Sequence, residues 1–466
     1  MPGIQRGARD VQDCDPSQRV SAAPARCRVG PAPGQRAAVR LIADEDHPSQ
    51  DDLPYAARLS PHFSAMKRRL AIAAVLALAV GIALTSWLRV SEASARARIV
   101  ALAEQLQEWR EAADFDREAA WGDTVEGAAW PHYERALEAV EAEPDSLRDR
   151  IAEAAAFTGE QDAAARAERS ELLERCQEVL SEVHAGAHAR DARIGDPGEG
   201  FGADAAKLVS TRALSDLAIL FLCDAEGPEA QLDAVRAALD IQQFGRDLAS
   251  SPLLINEMIG LVIIVPYGLD EWLRGGLAKE LDTAAKREWL AGLERLERSL
   301  APESVAVRGE LELCASGILT GLEPDSGSVM DLLQWPIEDV ASVARLHHHA
   351  AAFIEAFHGL VPTIEAHYRT PGREGYDALT SIGDELVEGG NPIAELCAPL
   401  FAPALLSRHT GRTRLSFLRH ALALHLGVEA APPLDLFGSG VEVEELDGRV
   451  RISTTDFLGR VIEIEL

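Results

Sequence analysis

The feature that most constrains the fold of this chain is an uncharged stretch of nineteen residues, Leu70–Leu88. At a rise of about 1.5 Å per residue, a helix of this length matches the roughly 30 Å hydrocarbon core of a bilayer. We therefore predict one transmembrane anchor within residues 66–90. The alternative is a long secretory signal peptide, since small residues at 93–95 form a cleavage pattern.

Basic residues on both sides of this stretch bear on its orientation. Those before it favour a cytoplasmic N-terminus, and those after it weaken that bias. They are Lys67, Arg68 and Arg69 before it and Arg89, Arg96 and Arg98 after it. We expect a single pass through an inner membrane, with the bulk of the chain in a periplasm-like space.

Small residues recur at every fourth position of the anchor. They are Ala73, Ala77, Gly81 and Thr85. Such a stripe lets two helices approach closely in lipid and would support a homodimer. The alternative is that alanine is so abundant in this chain that it falls into any register.

The residues before the anchor, 1–65, are rich in Pro, Gly, Arg and Asp and have no hydrophobic periodicity. A segment of this composition buries too little apolar surface to offset its ordering entropy. We predict that it is disordered. Alternatively, translation starts at Met66, because the sequence from there has the layout of an export signal.

The charge of the chain is concentrated beyond the anchor. The formal net charge is −30, residues 1–65 are neutral overall, and residues 66–90 carry +4, so residues 91–466 carry −34. A body this acidic repels phosphate backbones. The sequence therefore argues against a nucleic-acid partner.

Residues 91–433 have the apolar spacing of helices, and Pro and Gly fall mostly between the runs. We predict a mainly α fold of antiparallel hairpins, either α-solenoid-like or an irregular bundle, with a small antiparallel β element in residues 434–466. The predicted helices are 91–118, 125–142, 145–157, 160–187, 204–223, 229–250, 253–273, 280–299, 303–321, 338–369, 375–387, 392–407 and 411–426.

Two local patterns are specific enough to interpret individually. Gly227 and Pro228 mark a short turn, which predicts that helices 204–223 and 229–250 lie antiparallel. The apolar run Met258–Val265 has only eight residues, too few to span a membrane, and so predicts a buried helix of the body.

The C-terminal residues alternate apolar and polar side chains, with Asp447-Gly448 between two such runs. This pattern predicts a β-hairpin closed by a tight turn. A further alternation from Ile462 to Leu466 predicts a third strand.

Segment 128–145, AAWPHYERALEAVEAEPD, resembles the second helix of a tetratricopeptide repeat in Tyr133, Ala136, Leu137 and Pro144. Residues 120–455 as a whole, ending in LDLFGSGVEVEELDGRVRIST, resemble uncharacterised membrane-anchored helical proteins of planctomycete-type bacteria. That group tends to have Asp-Pro-Phe-x-Gly near its end, and here Asp435-Leu436-Phe437-Gly438 lacks the proline. The resemblance implies a membrane-anchored helical architecture and no particular activity.

Six cysteines are present and none forms a C-x-x-C pair, which excludes the common zinc-knuckle and redox motifs. Four lie in apolar helical patterns, where they are expected to be small buried hydrophobes or, if exported, disulfide partners. These four are Cys176, Cys223, Cys314 and Cys397.

The candidate metal ligands are Glu355 and His358, which have the Glu-x-x-His spacing of di-iron bundles. His347 and Glu365 fall on the same side of helix 338–369. No second Glu-x-x-His occurs, so a solvated helix flank is the alternative and no cofactor is predicted. His184 and His188 have an i, i+4 spacing, but they would join this pair only if their helices packed together.

Two further clusters of residues are of types that can bind anions or acidic partners. The glycine-rich loop 195–202 lacks the phosphate-binding pattern and is predicted to be a flexible linker. A basic cluster would dock an acidic partner, dock an acidic face of the same body, or form plain helix surface. It comprises Arg408, His409, Arg412, Arg414, Arg419 and His420.

No catalytic signature such as G-x-S-x-G or H-E-x-x-H occurs. The first hypothesis is therefore a membrane-tethered helical scaffold that binds a protein partner. The second is an envelope enzyme with an unrecognised site, with or without a metal ion, around Glu355 and His358.

Overall fold

The computed structural model describes residues 60–113, 117–142, 145–156, 163–198, 208–265, 281–322, 340–446 and 449–466. The chain divides into two compact units, residues 1–73 and 74–466. The described residues are mainly helical and end in a small antiparallel sheet, as the sequence predicted. Most of the segment predicted to be disordered, 1–65, lies outside the described residues, and its last six residues, 60–65, are helical instead.

Helix α1, Ser60–Glu111, contains the predicted anchor and continues beyond it. Among the described residues it is the one helix long and apolar enough to cross a membrane. Its anchor residues are exposed: 61% of the surface of Leu70 and 65% of that of Val75 is accessible to solvent. Ala95, Ile99 and Leu106 further along α1 are buried, so this part of the helix packs on the body.

The next helices form one group around a shared apolar core. Their bounds are α2 Trp130–Ala142, α3 Asp145–Ala156, α4 Ala163–Arg175, α5 Gln177–His188, α6 Leu208–Asp224, α7 Pro228–Ala249, α8 Leu254–Ile264 and α9 Thr283–Arg298. The predicted helix 160–187 is thus two helices, and the predicted helix 204–223 is α6.

The predicted hairpin at Gly227 is present. Gly227 has φ +88°, a value that glycine adopts readily, and Pro228 occupies the first position of α7. Helices α6 and α7 pack against each other. Helix α8 is a buried helix of the body, as predicted, because eight of its eleven residues are buried.

The remaining helices pack around a second apolar core, which also takes in α1 and the start of α8. Their bounds are α10 Glu303–Gly321, α11 Val340–Tyr368, α12 Arg373–Glu388, α13 Pro392–Cys397 and α14 Phe401–Leu426. The predicted boundary between 392–407 and 411–426 is wrong. The chain breaks around Pro399 instead, and Gly411 lies inside α14, where its lack of a side chain admits Leu261.

Two short strands in the first half of the chain were not predicted. Strand β1, Val125–Ala128, pairs in parallel with β2, Ala189–Asp191, which follows α5 directly. Residues 125–128 were predicted to be the start of helix 125–142. The first turn of that helix is absent because its backbone bonds instead to β2.

The C-terminal sheet confirms the predicted alternation. Strands β3 Glu442–Leu446, β4 Arg449–Thr455 and β5 Val461–Glu465 form an antiparallel meander, with Val443 opposite Ile452 and Ile452 opposite Ile464. The turn residues 447–448 lie outside the described residues. Ile452 and Ile464 are fully buried against the helices.

The four cysteines predicted to lie in apolar helical patterns are free thiols in buried or half-buried positions. Burial raises the pKa of Cys223 and of Cys397 to about 12, so both thiols are protonated and unreactive at neutral pH.

Candidate metal centre

Three side chains with metal-binding atoms converge between α5 and α7. The ligand atoms of His184, His188 and Asp240 all lie within 4.8 Å of one another. His184 Nδ1 is 2.8 Å from Asp240 Oδ2, and His188 Nε2 is 3.3 Å from Asp240 Oδ1. Ligands of a four-coordinate zinc ion at about 2.0–2.1 Å lie roughly 3.3 Å apart, and the His188–Asp240 separation matches this value. The 2.8 Å His184–Asp240 contact is a hydrogen bond that a bound ion would replace.

The packing of α5 explains why these residues meet. His184 and His188 are one turn apart and so share a face of the helix. Gly186, on the adjoining face, lies so close to the ring of Tyr133 that an added Cβ would be 2.5 Å from it. The glycine lets α2 approach α5 closely, while α5 also packs on α7.

The orientation of the His188 ring is fixed by the end of β1. Its Nδ1 lies 3.0 Å from the carbonyl oxygen of Asp123, which precedes that strand. Because Nδ1–H donates to this carbonyl, a neutral His188 would present the Nε2 lone pair to Asp240. Histidines that bind metals commonly donate their other ring N–H to a backbone carbonyl, which fixes the orientation of the ring.

His188 Nε2 is buried and has no hydrogen-bond partner of suitable geometry among the described residues. A lone pair 3.3 Å from a carboxylate oxygen is repulsive unless a cation neutralises the contact, and that cation is either a proton on Nε2 or a metal ion. Burial by itself lowers the pKa of His188, but the neighbouring Asp240 carboxylate and the hydrogen bond to the Asp123 carbonyl outweigh it and raise this pKa.

Trp121 holds the Asp240 carboxylate in place through a hydrogen bond. Its Nε1 donates to Asp240 Oδ1 at 2.7 Å, and its ring lies edge-on to His188 with centroids 4.7 Å apart. The guanidinium of Arg236 lies over the outer part of the same ring, 5.0 Å from its centroid. Trp121 thereby orients Oδ1 of Asp240, and only 8% of this side chain is exposed.

The centre opens to solvent at His184. The side chain of His184 is 51% exposed, and with Asp240 it lines an open cavity of about 710 Å³. An ion with three protein ligands keeps one or more positions for water or substrate, as in catalytic zinc sites. At such a position the metal would polarise a substrate oxygen or activate a bound water.

A buried ionic cluster supports the closed side of the centre. Asp247 is fully buried and accepts from Tyr133 Oη at 2.7 Å, while Arg117 Nε lies 2.9 Å from its other oxygen. Arg117 also donates to the carbonyls of Gly186 and Ala187 at 2.7 and 2.6 Å, at the C-terminal end of α5. The cluster therefore ties α2, α5 and α7 together next to His188.

The ligands predicted on α11 do not meet one another in the described structure. Glu355 is exposed and pairs with Arg98 of α1 at 2.7 Å, and His358 is exposed. Glu365 pairs with Arg308 at 2.9 Å. His347 is bonded to the carbonyl of Val343, one turn before it on the same helix.

The basic cluster of α14 docks on acidic residues of the same body. Arg408 is buried and pairs with Glu257 and Glu303, and Arg419 pairs with Glu297. Plain helix surface is therefore the wrong alternative for this cluster.

In the glycine-rich loop, the described part contains Asp196, which pairs with Arg110 at 2.9 Å. Residues 199–202 of the predicted linker lie outside the described residues.

The spacing of His184 and His188 is visible in the sequence, but nothing in the sequence assigns Asp240 to them. The signal present in the sequence was the i, i+4 histidine pair, whereas the third ligand comes from a different helix. No protein-family model, curated protein or solved structure matches this chain, so the assignment rests on geometry alone.

Proposed function

We propose that this chain is a membrane-anchored helical protein whose body holds one divalent transition-metal ion at His184, His188 and Asp240. The observation that carries the proposal is the buried Nε2 of His188, which faces a carboxylate and has no hydrogen-bond partner among the described residues. Two imidazoles and one carboxylate suit zinc best among common ions, and iron(II) next.

The solvent-accessible side of the metal centre favours a catalytic role over a purely structural one. Structural zinc sites are closed by four protein ligands, whereas this centre has three and borders a cavity. We infer a metal-assisted hydrolytic reaction class, in which Arg236 at the cavity wall would contact an anionic or carbonyl group of the substrate. This develops the enzyme hypothesis at a different location from Glu355 and His358.

The scaffold hypothesis and its protein partner stay predictions, as does the homodimer through the small residues of the anchor.

We also propose that the body lies outside the cytoplasm, in a periplasm-like space, on the basis of the basic residues before the anchor. A C-terminal alkaline phosphatase fusion tests this orientation, since the reporter is active only after export. An inactive but intact fusion would contradict it.

Metal content decides the main proposal. Untagged full-length protein in detergent is stripped with a chelator, incubated with Zn²⁺, dialysed, and analysed by mass spectrometry of the metal. We expect one zinc per chain in the native sequence and its loss in His188→Gln and in Asp240→Asn. Both substitutions keep the approximate side-chain volume, so the helical circular dichroism spectrum should be retained.

The matched control is the double substitution Glu355→Ala with His358→Ala, which removes one carboxylate and one imidazole from exposed positions. This variant should keep its zinc. If the native protein retains no metal after dialysis, or if His188→Gln retains as much as the native protein, the centre is an imidazolium–carboxylate ion pair and the proposal fails.

A further inference from the structure

A second cavity, of about 610 Å³, is lined by an unusual number of cations for so acidic a body. Five arginines line it, and the only acidic residue in its described lining is the exposed Glu118. The arginines are Arg117, Arg190, Arg246, Arg295 and Arg298. A volume of this size is typical of small-molecule sites.

Two of these arginines are held by the buried cluster and form the inner wall. Arg117 and Arg246 both pair with Asp247, at 2.9 and 3.1 Å. Arg246 Nε also donates to Ser299 Oγ at 3.0 Å. Two cations share one buried anion here, so the inner wall keeps a positive charge that is fixed in position before any ligand arrives.

The other three arginines have donors to spare. Arg295 uses Nη1 for a 3.2 Å bond to the carbonyl of Ala120, which leaves most of its five N–H groups unused in the described structure. Arg190 and Arg298 are exposed, and their side chains form no hydrogen bond or ion pair within the described residues. With Asp247 and Glu118 counted, the cavity and its inner wall carry a net charge of +3.

We propose that this cavity binds a small soluble anion bearing phosphate groups. Guanidinium groups match phosphate oxygens in bidentate geometry, and several converging arginines suit an anion of two or more charges. The ligand contacts would come from Arg190, Arg295 and Arg298, while the buried Arg117 and Arg246 contribute charge from behind them, so binding needs no metal ion.

The position of the cavity along α1 favours a soluble anion over a lipid headgroup. Ala113 lines the cavity two residues beyond the end of α1, and the apolar stretch ends at Leu88. The helix between Leu88 and Glu111 is about 35 Å long at roughly 1.5 Å per residue. Headgroups extend only about 5–8 Å beyond the hydrocarbon core, far less than this length.

Titration calorimetry with pyrophosphate tests the proposal on the full-length protein in detergent, with EDTA present so that no metal bridges the anion. We expect saturable one-to-one binding. Arg190→Ala combined with Arg298→Ala should weaken it by about tenfold or more, since two charge-assisted hydrogen bonds are lost. The thermal unfolding midpoint should not change, because both side chains are exposed.

The control is Arg287→Ala combined with Arg345→Ala, which removes the same charge from exposed positions elsewhere and should leave the affinity unchanged. Absence of saturable binding, or equal weakening by the control, overturns the proposal. Equally tight binding of citrate overturns the phosphate assignment. Pyrophosphate binding is also compared in phosphatidylcholine and phosphatidylglycerol nanodiscs. If phosphatidylglycerol displaces pyrophosphate, the ligand is a lipid headgroup, and the assignment to a soluble anion is wrong.

Discussion

Trp121 and Asp240 are 119 residues apart in the chain, and Trp121 Nε1 donates a 2.7 Å hydrogen bond to Asp240 Oδ1. The indole thus fixes the carboxylate that faces both His184 and His188. Because an indole N–H can only donate, this contact leaves the carboxylate as acceptor and keeps it available as a ligand.

Replacing Trp121 by Phe should weaken metal binding while leaving all three ligands in place. Loss of an outer-shell hydrogen bond usually lowers metal affinity about 10–100-fold, and we expect a decrease near the lower end. Competition with a chromophoric chelator measures the change. Trp109→Phe is the control, because Arg308 lies over that ring at 4.9 Å but no metal ligand is nearby. Equal affinities of the two variants would contradict the role of Trp121.

Asp247→Ala should be among the most destabilising single substitutions in the body. It leaves the guanidinium groups of Arg117 and Arg246 buried without their anion, which typically costs about 3–5 kcal/mol. Chemical denaturation followed by circular dichroism measures the loss in free energy of unfolding. Asp384→Ala, at an exposed position of α12, should change it by about 0.5 kcal/mol or less. A loss below about 1 kcal/mol for Asp247→Ala would show that the cluster relaxes.

Gly260→Ala should destabilise the packing of α7 on α8. An added Cβ would lie 2.3 Å from both Ala249 N and Gly245 O, which are backbone atoms that cannot rotate away. We expect a loss of about 3 kcal/mol or more in the free energy of unfolding. Gly383→Ala is the control, since nothing lies within 4 Å of its added Cβ. That change should instead stabilise helix α12 by about 0.5–1 kcal/mol. Equal effects of the two substitutions would contradict this packing.

His409 should make the protein less stable in mild acid. Burial, together with the nearby Arg408 and Arg412, lowers the pKa of this imidazole to about 4. The unfolded chain takes up this proton below about pH 6.5, whereas the native state does so only below about 4. Stability therefore falls as the pH drops from 6.5 towards 4, by about 3 kcal/mol in total from this group.

The measurement is the free energy of unfolding at pH 7.5 and pH 4.5 for the native sequence and for His409→Gln, whose side chain does not titrate. The variant should show a smaller difference between the two pH values. His358→Gln, at an exposed position of α11, should behave as the native sequence does. If His409→Gln keeps the full acid sensitivity, another group is responsible.

Deleting residues 1–88 should release a soluble helical body, because the exposed apolar side chains of α1 are concentrated in the removed part. Ala95, Ile99 and Leu106 are retained and continue to pack on the body. The test is ultracentrifugation with lipid vesicles, followed by circular dichroism of the supernatant. Sedimentation of the shortened chain with the vesicles would contradict the role assigned to the anchor.

Periodic patterns made most of the fold predictable from the sequence, and failures occurred where tertiary contacts overrode them. The C-terminal meander followed from strict alternation around Asp447-Gly448. Residues 125–128 carry no strand pattern and form β1 only because β2 lies beside them. The break around Pro399 was missed because the apolar spacing continues across it.

The candidate site was predictable only in part. The histidine pair on α5 is visible as a spacing, but Asp240 sits in a long helix with many other acidic residues around it in the sequence. Only the packing of α5 on α7 distinguishes it, together with the indole of Trp121. The arginines of the second cavity are scattered over four segments of the chain, and no local pattern groups them.

The parallel pairing of β1 with β2 has a kinetic consequence. Val125 and Ala189 can meet only after the intervening helices have formed and docked, because a parallel pair needs a long crossover connection. Contacts between residues so distant in sequence form slowly, since loop-closure entropy must be overcome first. Asp123 is therefore expected to reach His188 late in folding, so a metal ion that requires this oriented ring would bind only after the fold is complete. Metal uptake should follow the folding transition and leave its rate unchanged.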